Sequence, residues 1–382
     1  MGYRIILNEV SYHGYGALEN LVPEVKKNKF NKIAVFTDNV LLEVGTANKA
    51  IDLLKDSGID YCIFTDIKEN PTIGNVKDGL RIVEDNKCDA IIAIGGGSVM
   101  DTAKAVAIVT KNPEFGDIRS LEGVADTKNR CLPIIAIPTT AGTAAEITIN
   151  YVITDEENKK KMVCVDPNDL PILAIVDPIM MESMPKKLAA ATGLDALTHA
   201  IEGYITLGAN DMSDMFAIES IRLIGEYLEK AVNKEKEAIE KMALAQYIAG
   251  MGFSNVGLGI VHSMAHPLGA LYSTPHGIAN AIILPTVMDY NKEYTGEKFR
   301  NIARALGVSG TEKMTQDEYR SAAIEAVKTL ANKVGIELTL KGIVNEEDID
   351  FLAESAMNDA CTPGNPRTPK KEDIIEMYKS LL

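Results

Sequence analysis

The chain has 382 residues, 46% hydrophobic and 24% charged, enough for two folded domains with sizeable cores. Its formal charge of −15 opposes binding to nucleic acid or to an anionic membrane, while a local positive spot for a phosphate group stays compatible with it. The N-terminal stretch lacks the apolar core of a signal peptide and no apolar run is long enough to span a bilayer, so a cytoplasmic protein without nucleic-acid or membrane partners is expected.

The first half alternates short apolar runs with helical patterns. Residues 4–8, 32–38, 61–64, 90–94, 134–138 and 172–177 read as strands, several with consecutive β-branched residues, as in strands buried on both faces of a parallel sheet. Between them, 48–56, 75–84 and 100–109 show helical spacing, and the alternation predicts a doubly wound α/β domain. Residues 151–154 and 162–165, joined by a polar link, read as an antiparallel hairpin. After Ser183-Met184-Pro185 strand-like runs cease, and apolar residues recur at helical spacing to the end. The expected division is therefore 1–184, an α/β domain with a parallel sheet, and 185–382, an all-helical domain. Cys62, Cys88, Cys131, Cys164 and Cys361 are odd in number and widely spaced, which indicates neither a disulfide framework nor a thiolate zinc site.

The run at 90–94 is followed by Gly95-Gly96-Gly97-Ser98 and then by a helical pattern. Glycines let backbone approach a ligand closely, and the free N–H groups of a first helical turn attract an anion. A pyrophosphate site is one reading. A tight turn with a well-capped helix, Ser98 and Asp101 forming a capping box, is the other. Pro138-Thr-Thr-Ala-Gly-Thr-Ala-Ala-Glu146 ends another strand, and its hydroxyls suit either a nucleotide-pocket wall or helix capping by Thr139 or Thr140. Asp38 closes the second strand, where a carboxylate either accepts from a ribose hydroxyl or caps the next helix.

Four of the five histidines fall between Thr192 and Gly277. Asp195 and His199 are four apart, as are His262 and His266, so on helices each pair shares a face. With His276 they supply a carboxylate and imidazoles, a donor mixture suited to zinc or iron(II) rather than calcium or magnesium. Taken singly, each is equally a surface carboxylate or a hydrogen-bonded core histidine.

On these residues the sequence resembles the iron-dependent (group III) alcohol dehydrogenases. Gly95-Gly-Gly-Ser98, Pro138 to Glu146, Gly193-Leu-Asp-Ala-Leu-Thr-His-Ala-Ile-Glu202, His262-Ser-Met-Ala-His-Pro-Leu-Gly-Ala270 and Pro275-His-Gly277 follow that family's order over nearly the full length. The resemblance implies a Rossmann-like NAD-binding domain followed by a helical metal-binding and substrate domain, an architecture shared with dehydroquinate synthase. It implies iron(II) on Asp195, His199, His262 and His276, a set that would also take zinc, with His266 off the metal near the nicotinamide as a candidate proton relay. Gly96, Gly97 and Ser98 match its pyrophosphate turn, Asp38 the position favouring NAD over NADP, and Asn70, Thr139, Thr140, Thr143 and Lys161 further nucleotide contacts. Asn150, Phe253 and Cys361 would line the pocket of a small aldehyde, alcohol or diol, and a homodimer is implied. The stretches 148–155, 249–259 and 361–367 narrow the expected substrate pair to lactaldehyde and 1,2-propanediol, with 1,3-propanediol, butanol or glycerol as alternatives. A dehydroquinate synthase-like lyase needs a basic cleft, and few Lys or Arg lie near these histidines in sequence.

Overall fold

A six-stranded, wholly parallel sheet is the centre of the first of two units into which the chain divides between Met184 and Pro185. The computed structural model describes residues 2–158 and 160–382. The strands of this unit are β1 (Val10–His13), β2 (Lys32–Phe36), β3 (Asp60–Phe64), β4 (Ala90–Gly95), β5 (Gly123–Val124), β6 (Ile134–Pro138), β7 (Asn150–Asp155), β8 (Lys160–Val165) and β9 (Leu173–Val176). Its longer helices are α1 (Leu21–Lys27), α2 (Asn39–Glu43), α3 (Asn48–Asp56), α4 (Ile73–Asn86) and α5 (Gly97–Lys111).

The sheet order is β1-β9-β6-β4-β2-β3. Every residue of β4, β6 and β9 is buried, because helices cover both faces. Successive side chains feed opposite layers: Ala34, Phe36, Ile91 and Ala93 join the core formed with α4 and α5, whereas Ile33, Val35, Ile92 and Ile94 join that formed with α1 and α3. The chain crosses β2 on its way from β3 to β4. Consequently α2 and α5 leave neighbouring strand ends toward opposite faces, the arrangement that opens a crevice at the carboxyl ends of such strands. The expected hairpin is present as β7 and β8, antiparallel with Tyr151 opposite Cys164, and β5 extends it to three strands.

The expectation of a strand at residues 4–8 is corrected: the first strand is β1, paired with β9 from Val10 onward. The apolar run before it has no place in the ladder. Instead the Asn8 amide donates to Glu146 O at 2.9 Å and to Pro171 O at 2.6 Å, pinning that segment through a side chain. Asn75 was expected to begin α4, which begins two residues earlier because Thr72 caps it and exchanges hydrogen bonds with Asn75.

The second unit is helical: α6 (Lys186–Ile205), α7 (Asp211–Val232), α8 (Lys236–Val256), α9 (Ile260–Tyr272), α10 (His276–Asn291), α11 (Lys298–Ala305), α12 (Gln316–Lys333), α13 (Ile349–Met357) and α14 (Lys371–Ser380). Every residue of α6 from Gly193 to Ile205 is buried, so this helix is the hub, wrapped by α7, α8 and α10. Between α8 and α9 the chain turns through 103°, with Gly257 at φ +86°. Among the described residues no single helix is long and apolar enough to cross a membrane; α8 and α9 reach that length only together, across this bend.

One glycine sets the distance between α10 and α6. A Cβ on Gly277 would lie 2.3 Å from Ala191 O and 3.3 Å from Asp195 Cβ, so the first turn of α10 rests directly on α6 backbone. We predict that Gly277→Ala destabilises the protein by about 1–3 kcal/mol, as overpacking against backbone does. Urea unfolding with an unchanged midpoint would contradict this contact.

Candidate metal centre and nucleotide turn

The buried hub brings donor groups together. Asp195 and His199 stand on successive turns of α6, His262 lies in the first turn of α9, and His276 opens α10. One donor atom from each of these four residues lies within 4.8 Å of every other. Asp195, His199 and His262 are 2%, 5% and 2% exposed, which takes them out of water's reach. Among the described residues His199 Nδ1 has no hydrogen-bond partner; it stands 4.0 Å from Asp195 Oδ2, and His276 Nε2 is 3.6 Å from Asp195 Oδ1. An unmet buried ring nitrogen costs on the order of 1–3 kcal/mol. Burial, together with the neighbouring rings, holds His262 well below the ordinary imidazole pKa and therefore neutral, with a lone pair to give. A buried carboxylate with neutral imidazoles around it fits a divalent transition ion on both charge and donor type.

His266, the fifth member of the sequence cluster, is outside the four. Its Nδ1 pairs with Asp359 Oδ2 at 2.7 Å, and its ring stacks beside His276 with centroids 5.6 Å apart. Burial works to raise the Asp359 carboxyl, but the His266 ring and the backbone N–H of Cys361 outweigh it and hold Asp359 below the usual carboxylate range. Cys361 follows this carboxylate, and burial raises its thiol well above the ordinary value. Phe253 is 3% exposed and stacks on His199 with centroids 4.2 Å apart, so it packs against one of the four donors.

Three residues to which the sequence reading assigns no role complete the arrangement. Asn280 donates from Nδ2 to Asp195 Oδ1 at 2.7 Å, with His262 Nε2 at 3.2 Å and His276 Nε2 at 3.1 Å. Glu202 Oε2 lies 2.5 Å from His262 Nδ1, while its Oε1 accepts from the Val261 N–H at 2.7 Å. Burial pushes the Glu202 carboxyl up to about 7, against the pull of backbone N–H groups at Val261, Gly259 and His262. Asp359 is the third. Glu202 continues the Asp195–His199 face by another turn and Asn280 follows His276 by four, so both are readable from helical spacing. Asp359, 93 residues from His266, has no local signal.

In the first unit, Gly95-Gly96-Gly97 forms the turn from β4 into α5. Among the described residues no side chain caps α5, whose N-cap is Gly96, which removes the alternative reading of Ser98 and Asp101 as a capping box. Ser98 Oγ donates to Glu69 O, and Asp101 accepts from the Val152 N–H at 3.2 Å. Cβ atoms on Gly96 and Gly97 would meet Thr140 and Thr143 Cγ2 at 3.1 and 3.0 Å, so these threonines lie directly over the turn. The Thr139 N–H donates to Gly95 O at 3.0 Å, and no helix starts after it, which removes helix capping as the reason for Thr139 or Thr140. Lys161 Nζ donates to Asn70 Oδ1 at 2.8 Å, beside the Glu69 carbonyl that Ser98 holds, and burial lowers the Lys161 pKa. Asp38 does cap α2, accepting from the Leu41 N–H at 2.8 Å, at the end of the strand that neighbours β4. Asn150 begins β7, where its carbonyl accepts from Lys104 Nζ at 3.0 Å. An uncapped helix start with hydroxyls and an amide around it fits an anionic dinucleotide.

Family-wide comparison agrees with this geometry. Residues 8–178 match the model of the iron-containing alcohol dehydrogenases, and 189–382 match that of the Fe-containing alcohol dehydrogenase family, C-terminal. The chain is 53% identical over 379 residues to a lactaldehyde reductase of Escherichia coli K12, covering 99% of each, and 38% identical to a 1,3-propanediol dehydrogenase of Citrobacter freundii, again covering 99% of each. A crystal structure of 1,3-propanediol oxidoreductase superposes with a TM-score of 0.96 at 37% identity over all of both chains. A sulfoacetaldehyde reductase from Bifidobacterium kashiwanohense, solved in complex with NAD+, gives 0.87 at 30% identity, covering 100% of this chain and 99% of that one. The chain belongs to the iron-containing alcohol dehydrogenases.

Proposed function

We propose that this dehydrogenase interconverts lactaldehyde and 1,2-propanediol, with NAD on the first unit and iron(II) on the second. The observation that carries the metal half is the buried set Asp195, His199, His262 and His276, with one ring nitrogen left unmet. The substrate half rests on the 53% identity to a lactaldehyde reductase across 99% of the chain. When bound, the ion supplies Lewis acidity toward a carbonyl or hydroxyl oxygen, and the nicotinamide accepts or supplies the hydride. Zinc is accommodated by the same donors. A homodimer in the cytoplasm belongs to the same reading, and a monomeric sedimentation coefficient would remove that part.

The chain's own residues do the rest. Asp195, His199, His262 and His276 hold the ion. Gly96, Gly97 and Ser98 let the pyrophosphate approach the start of α5, with Thr139, Thr140, Thr143, Asn70 and Lys161 around it. Asp38 accepts from the ribose hydroxyl with the oxygen that does not cap α2. On the second unit, Phe253 and Cys361 line the small-substrate pocket. Since Asp359 occupies His266 Nδ1, the other ring nitrogen is left to take or return the proton of the reacting oxygen.

Three outcomes test this reading. Removing metal with a chelator lowers the melting temperature by several degrees and anaerobic iron(II) restores it, because a ligand bound at about 100 times its Kd adds about 2.7 kcal/mol. His262→Ala removes that response, and a melting curve indifferent to metal contradicts the site. Asp38→Gly costs only a few tenths of a kcal/mol as a cap, so it isolates the charge. We expect it to raise turnover with NADP relative to NAD by about tenfold or more, the equivalent of ~1.4 kcal/mol. No gain with NADP counts against a ribose contact. His266→Ala lowers turnover by about 100-fold or more with lactaldehyde and NADH, and alters the pH profile. Normal turnover with an unchanged profile takes His266 out of the reaction, and activity confined to longer unbranched aldehydes overturns lactaldehyde.

A further inference from the structure

Glu202 is 3% exposed and, among the described residues, no Lys or Arg pairs with it, yet both of its oxygens are used. Oε1 takes the backbone N–H of Val261 at 2.7 Å, and Oε2 meets His262 Nδ1 at 2.5 Å. The approach is built for this carboxyl: a Cβ on Gly259 would stand 2.9 Å from Oε1, so a side chain there would displace it.

In mildly alkaline solution Glu202 is a carboxylate with no hydrogen to give, so the ring proton of His262 belongs on Nδ1. The other nitrogen, Nε2, then carries the lone pair. Its neighbour agrees: the contact with Asp195 Oδ1 at 2.7 Å identifies Asn280 Nδ2 as the donor end, and this NH2 group, 3.2 Å from His262 Nε2 and 3.1 Å from His276 Nε2, cannot accept a proton from either ring. Imidazole has two neutral forms, and only this one presents a lone pair toward the other three donors. We propose that Glu202 is a positioning residue that locks His262 in its Nδ1–H form and so keeps Nε2 open to the metal ion. This rests on the metal reading given above. Glu202 itself touches neither substrate nor cofactor; it acts through His262, as partners of metal-ligating histidines do.

The isosteric change Glu202→Gln separates hydrogen-bond chemistry from packing. An amide has one accepting and one donating end. The Val261 N–H is backbone and cannot reverse, so the oxygen stays there and the NH2 group faces His262 Nδ1. The ring must then accept at Nδ1 and carry its proton on Nε2, pointing at the metal position.

The experiment uses full-length protein with 15N-labelled histidine, freed of metal with a chelator, in mildly alkaline buffer. Long-range 1H–15N spectra, assigned by loss of one signal set in His262→Ala, report which nitrogen carries the proton. We expect Nδ1–H at His262 in the wild type and Nε2–H in Glu202→Gln. Anaerobic competition for iron(II) against a chromophoric chelator should show about a 10- to 100-fold loss of affinity in that variant. A variant that retains Nδ1–H, or binds iron(II) as tightly as the wild type, overturns the proposal. So does Nε2–H in the metal-free wild type, which needs no variant to fold. A wild type that takes up no iron(II) at all sinks the metal reading alone, and the two spectra still decide what Glu202 does to the ring.

Discussion

Burying a carboxylate next to imidazoles is unfavourable unless something of opposite charge meets them, because each group leaves water without a full set of partners. The second unit is arranged around that cost. Its central helix, α6, is buried along the whole segment that carries Asp195, His199 and Glu202, and α9 and α10 bring His262 and His276 against it. Among the described residues the offset is incomplete: Asn280 supplies one amide, and His199 Nδ1 has no hydrogen-bond partner. On the proposed function, a divalent cation completes it. The same burial that makes these donors costly keeps His262 neutral and therefore able to donate.

The first unit solves a different problem, that of leaving backbone N–H groups uncapped at a helix start. A parallel sheet with helices on both faces leaves its strand ends pointing at a crevice, and the chain's crossing of β2 places that crevice at Asp38 and Gly95. Glycine at 96 and 97 leaves room for Thr140 and Thr143, whose methyl groups lie close over the turn. Thus the two motifs that looked separate in sequence, Gly-Gly-Gly-Ser and Pro-Thr-Thr-Ala-Gly-Thr, are two sides of one structure.

Much of this was legible from spacing. Five of the six expected parallel-sheet strands lie where their β-branched runs placed them, since burial on both faces leaves a continuous apolar signature. Residues 4–8 carry the same signature without a strand, because Asn8 side-chain bonds, not a ladder, hold that segment. Asp195, His199, His262 and His276 converge, whereas His266 turns to Asp359. That distinction depends on a partner far away in sequence, which local periodicity cannot reveal. The alternative reading of Ser98 as a capping box fails for a similar reason: Ser98 is claimed by the Glu69 carbonyl and Asp101 by the hairpin backbone, both tertiary contacts. Glu202 was readable as the next turn of the Asp195–His199 face, but its contact appears only when His262 is seen across from it.

X-ray absorption at the iron edge of protein reconstituted anaerobically with iron(II) tests the central claim most directly. The account predicts an ion at the four gathered residues, with imidazole nitrogens and a single carboxylate in its shell. A spectrum of loosely held, oxygen-only iron, or one unchanged when Asp195 and His262 are replaced, would contradict it.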